Sequence, residues 1–192
     1  HSFSGAFAVL HGESFQCRYR YTAEAGDRGL LTRGGLKRLS STFLPKGSIE
    51  EIRPGEGLIH QVWHLGYPTV TLALRSTKEL KYQFTYHPGG LAVDFRAVSR
   101  DASWAKKREL IRFLLATKAR SARDMAEVLL PGTRPFEGYL ALEALCGAAG
   151  GSAEEMLDIF SKRHPSWRAA ARGALEQQSL LERIPWSAAP DE

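Results

Sequence analysis

At 192 residues the chain is long enough for one sizeable core or two small ones. An apolar fraction of 43% and a charged fraction of 24% exclude a disordered, collagenous or low-complexity polypeptide. No apolar run approaches the roughly 18 residues that cross a bilayer and no signal peptide is visible, so no membrane association and a cytoplasmic location are expected. The net charge of +5 permits anionic ligands and requires none.

The first half, to about Val98, reads as β structure. Residues 6–10 are apolar and end in the turn signal His11-Gly12. Residues 14–21 alternate, with Phe15, Cys17, Tyr19 and Tyr21 on one face and Gln16, Arg18 and Arg20 on the other. A glycine-marked loop follows at 25–29, then two short strands at 30–32 and 36–43 around Gly34-Gly35, and 48–52 leads to a turn at Pro54. Residues 58–65 and 69–75 read as strands. A charged turn at 76–79 precedes an alternating strand at 80–86, the turn His87-Pro88-Gly89-Gly90 and a last short strand at 91–95. Many short strands between Gly/Pro turns suggest a sandwich or barrel.

Near 99–103 the pattern becomes helical and rich in Ala, Leu, Glu, Lys and Arg. A helix over 104–119 is expected to carry Leu110, Phe113, Leu114 and Thr117 on one stripe. Ser121 caps a second helix, stopped by Pro131-Gly132. A third spans 136–149. The capping box Ser152-Ala-Glu-Glu155 opens a fourth, and Pro165 sits near the start of a fifth. The fold class expected is α+β: a β-barrel or sandwich over 1–98, followed by an all-α bundle over 103–185.

The stretch 54–75 holds two of the six histidines, four residues apart, between a Pro/Gly turn and a strand. In an extended segment His60, Val62 and His64 share one face. In a helix the same spacing would still bring both rings together. Paired imidazoles suit a transition metal, without choosing between Fe(II), Zn, Ni and Cu. Arg75 shares its strand face with Thr71 and Ala73; an inward Arg there would take a carboxylate or phosphate on a substrate, and the alternative is an Arg at a strand end reaching water. His11, in a turn before Gly12, reads as a surface residue; His87, in a turn before Pro88, and His164, before Pro165 among the helices, read as structural. Cys17 reads as a small buried apolar residue, and a reduced chain is expected. The basic run Lys106-Lys107-Arg108 is diluted by Glu109, Asp124 and Glu127, so a nucleic-acid partner is not expected.

The string Gly47…Pro54-Gly55-Glu56-Gly57-Leu58-Ile59-His60-Gln61-Val62-Trp63-His64 resembles the second metal-binding motif of the cupin superfamily, with His60 at the ligand position and His64 where Asn is usual. Its Pro-to-Gly spacing is longer by one. Counting back from Gly12 puts Gly5 at the acidic position of the first motif and His1 at the second His of its pair. Nearest in pattern are cysteine dioxygenase-like cupins, which also lack the acidic ligand and bind iron through three histidines. Their strand after the metal His carries Ser, His and Tyr, where this chain has Thr71, Ala73 and Arg75. The resemblance covers roughly residues 1–95 and implies a further His upstream of His1, in a chain that begins with the motif already in progress.

What the resemblance implies is a mononuclear metal enzyme, a non-haem iron dioxygenase acting on a small anionic substrate. His1 and His60 would hold Fe(II), with Zn, Ni or Mn as alternatives. Arg75 would orient the substrate and His64 would assist as a proton-transfer or supporting group. The helical part would cover the barrel mouth or make a homodimer. One alternative is a metal-free or metal-sensing ligand-binding module whose helices contact a partner. Another is a Zn or Ni isomerase or hydrolase.

Overall fold

The computed structural model describes residues 1–24, 29–77, 80–94, 96–97, 102–148 and 153–183. It divides into two compact units: His1–Tyr86 with Ala92–Arg100, and His87–Leu91 with Asp101–Glu192.

The β-rich unit is built from β1 (Gly5–His11), β2 (Ser14–Ala23), β3 (Leu31–Leu44), β4 (Ile49–Ile52), β5 (Ile59–His64), β6 (Val70–Arg75), β7 (Phe84–Tyr86) and β8 (Leu91–Asp94). They form two antiparallel sheets, in the orders β4–β1–β6 and β5–β2–β3–β8–β7. Among the described residues no strand pairing joins the two sheets, so the barrel expected as one form of this half is not closed.

Alternation explains which faces are buried. On β1, Phe7 and Val9 turn inward and pack with Leu44, Ile52 and Leu58, with Phe3 and Val62 against them. A second cluster joins Tyr21, Ile59 and Ala92 with Tyr19, Leu36, Phe84 and Tyr86. Ile59 and Val62 lie an odd number of residues apart on β5, so the two clusters occupy opposite faces of the larger sheet. A sheet packed on both faces needs polar residues only where they have partners.

The structure differs from the sequence reading at β3. The two short strands expected around Gly34-Gly35 are one strand of fourteen residues, paired with β2 from Gly34 to Leu44 and shifted in register between Arg18 and Tyr19. Gly34 does not break it. Its missing side chain lets β2 approach: a Cβ there would collide with the Thr22 carbonyl and the Tyr21 ring. Tyr21 uses that closeness, its hydroxyl donating to the Thr32 carbonyl at 3.0 Å. The strand expected over 80–86 is shortened to Phe84–Tyr86. The loop expected at 25–29 and the charged turn at 76–79 fall partly outside the described residues.

The helical unit contains α1 (Ala102–Ala116), α2 (Ala122–Leu129), α3 (Pro135–Ala148), α4 (Ala153–Arg163) and α5 (Arg168–Arg183). Ser121 and Asp124 form a reciprocal capping box at the start of α2. The box expected at Ser152 lies outside the described residues. The stripe expected on α1 is displaced. Trp104 and Ile111 are buried, with Arg108 and Leu115 half-buried on the same i, i+4, i+7 line, while Leu110 and Phe113 are exposed. Trp104 supplies the large apolar anchor that the Leu110–Phe113 reading left out. Within this unit His87 Nδ1 donates to Gln177 Oε1 at 3.1 Å.

Gly34→Ala should destabilise the β-rich unit by about 2 kcal/mol, because the contacting atoms are largely backbone and cannot move aside. Gly35, where an added Cβ meets nothing within 4 Å, is the control. Urea denaturation of both variants checks this, and equal midpoints would refute the close-approach argument.

Candidate functional site

β2 lies between β3 and β5, and its register against β5 pairs Ser14 with His64, Gln16 with Val62 and Arg18 with His60. Residues directly across a ladder share a face. Ser14, Gln16, Arg18, His60, Val62 and His64 therefore point the same way, toward the Phe7 cluster, as Val62 does. The sharing of one face by His60, Val62 and His64 follows from strand alternation alone.

His1 arrives from the far end of the sequence. Its carbonyl accepts from the Gly55 N–H at 2.6 Å, inside the Pro54 turn that introduces β5. Ser2 and Ser4 are held by backbone bonds from Leu80 and Ser76. The His1 ring then meets His60, with the two Nε2 atoms 2.7 Å apart and the ring centroids 4.8 Å apart. Phe3 packs 5.2 Å from the His1 ring and Phe7 5.9 Å from His60, walling the pair with apolar surface.

A chain of polar groups runs away from this pair. Gln16 Nε2 lies 2.9 Å from His60 Nδ1, and Arg18 Nε donates to Gln16 Oε1 at 3.0 Å. Arg18 is ion-paired with Glu50 on β4, so the chain bridges the two sheets. An arginine Nε–H only donates, so the Gln16 atom facing it is the oxygen. The Gln16 amide then presents N–H to His60 Nδ1. That nitrogen accepts, the ring's one proton sits on Nε2, and Nε2–H donates to His1 Nε2.

His64 is exposed, with Nδ1 2.9 Å from the fully buried Ser14 hydroxyl. Arg75 is exposed at the end of edge strand β6, not directed inward, and all six residues of that strand are exposed. Its guanidinium stands 5.7 Å over the Phe3 ring, one ring removed from His1. Cys17 is buried and free, 3.2 Å from the Ser41 hydroxyl. Gln16, Arg18 and Glu50 were missed as site residues. Their signal was the polar pair Gln16/Arg18 on the β2 face opposite the tyrosines, next to strand 59–64. In the helical unit, α1, α2 and α3 line an apolar groove of about 430 Å³ around Trp104, Ile111, Met125 and Leu129.

Two histidine nitrogens on one tetrahedral ion, each bonded at about 2.0–2.1 Å, stand about 3.3 Å apart. The His1–His60 spacing of 2.7 Å is shorter and is that of a direct hydrogen bond, so the rings would have to part to share an ion. No group of three or more His, Cys, Asp or Glu that could hold a metal is gathered among the described residues. No family model matches the chain, and no curated protein or solved structure matches it either.

Burial foremost, then nearby positive charge, lowers the His60 imidazole below its ordinary value of 6.5. In the folded chain His60 resists protonation, whereas in the unfolded chain it titrates at about 6.5. As pH falls through that value the unfolded state binds the extra proton, so stability is lost progressively from about 6.5 down to the folded pKa of His60, stays lost below it, and is unaffected by this group above 6.5. An NMR titration of the His60 ring should give a midpoint below 6.5, and one at or above it would contradict the burial argument.

Proposed function

We propose that the β-rich unit is a cupin-like metal site in which His1 and His60 bind one divalent ion, iron(II) foremost, in an oxygenase acting on a small anionic substrate. The observation that carries this reading is the meeting of two imidazoles 59 positions apart in sequence, nitrogen to nitrogen at 2.7 Å, inside an apolar wall. Imidazole pairs suit Fe, Zn and Ni, so zinc or nickel hydrolase or isomerase chemistry belongs to the same reading. Bound iron would supply the redox chemistry with dioxygen.

The chain's own groups have defined tasks. Phe3 and Phe7 pack against the half-buried ring pair and make one side of it apolar. Arg75 offers an exposed guanidinium beside Phe3, where it would draw in and orient a carboxylate or phosphate. His64, held by Ser14 at Nδ1, has Nε2 free of that contact and would carry a proton between solvent and substrate.

Fe(II) added anaerobically to the untagged protein should be retained at about one ion per chain, and His60→Ala should retain none. Equal iron in both, measured by elemental analysis, would end the metal reading.

One observation favours a second reading, a ligand-binding module without metal. In the hydrogen-bond order of the structure His60 Nε2 already carries a proton and gives it to His1, so the pair is mutually satisfied. Elemental analysis without retained metal, together with an intact His1–His60 bond, is the result that puts this reading first.

A further inference from the structure

We propose that Gln16, held in one orientation by Arg18, decides which nitrogen of His60 carries the proton, and so whether His60 can accept a cation. The inference rests on the metal reading for its consequence but not for its geometry. Gln16 is 1% exposed, with one end of its amide on Arg18 Nε and the other on His60 Nδ1. Arg18 cannot reverse its role, since it has no acceptor, and Glu50 holds its other end.

Two states of the amide follow. In the present one, Gln16 donates to Nδ1 and the ring proton stays on Nε2, the nitrogen that faces His1. A cation cannot use a protonated nitrogen. In the other state the amide turns over and Oε1 accepts from Nδ1–H, as a carbonyl or carboxylate beside a metal-binding histidine usually does. The ring keeps one proton throughout. It leaves Nε2 for water and returns from water at Nδ1. The turned state sets the Gln16 NH2 against Arg18 Nε–H, two donors facing each other, so Arg18 opposes it. Gln16 is therefore a positioning residue that acts through His60.

The experiment reads the proton directly. Long-range ¹H–¹⁵N correlation spectra of the metal-free protein should show His60 as the Nε2–H tautomer. Gln16→Glu replaces the amide with an acceptor that satisfies both Arg18 and Nδ1–H, and should convert His60 to the Nδ1–H tautomer. Arg18→Met, which keeps Gln16 but removes the donor that pins it, should populate both forms. Zn(II) titration should find Gln16→Glu binding at least about tenfold more tightly than the parent protein. An Nδ1–H tautomer in the parent protein, or no change in Gln16→Glu, overturns the inference. Conversion of the tautomer with no zinc bound by either protein upholds it and overturns the metal reading instead.

Discussion

A primary amide with no water around it must find partners at both ends. Gln16 is such a group, in the middle of β2 with strands on both sides. An orphaned end would cost about 1–3 kcal/mol, a large share of the stability of a small domain. Arg18 satisfies one end and His60 the other. Because Arg18 also reaches Glu50 on β4, the same requirement ties the two sheets together at this point. The orientation of the His60 ring and one ion pair between the sheets both depend on how this one side chain is accommodated.

The α+β division, the strand character of 59–64 and the shared face of His60 and His64 could be read from alternation. The Pro54–Gly57 turn was equally legible, although its part in receiving the His1 carbonyl was not. Hydrogen bonds between residues far apart in sequence, 44 positions for Gln16–His60 and 32 for Arg18–Glu50, leave no local pattern. Glu50, Arg18 and Gln16 belong to that class: each looks like an ordinary solvated strand residue until the register places it. The direction of Arg75 was open for a related reason. Its strand face was clear, but whether that strand was central or at an edge depended on pairing, and β6 is an edge. On α1 the periodicity was right and the phase wrong, because Trp104 outweighs two smaller residues in choosing the buried side.

The two readings of the His1–His60 pair differ by one proton position. A self-satisfied imidazole pair and an open metal site share the same residues, walls and backbone. Placement of the histidines is therefore necessary to the proposed chemistry and not sufficient for it. The deciding groups are a neutral amide and an ion pair that would touch neither substrate nor metal. The helical unit has an apolar groove of its own, lined by α1, α2 and α3.

The arrangement has a consequence for how this chain tolerates change in length. Ser14, Gln16 and Arg18 serve the site because they are spaced by two on one continuous strand. Losing or gaining a single residue within 14–18 would exchange the faces of that segment. Cys17 would then stand where Gln16 does, placing a thiol against the imidazole, and the polar side chains would turn into the tyrosine cluster. Variants with altered length are therefore confined to the connections, such as the turns at 45–48 and 65–69, while the strand accepts substitution and refuses insertion.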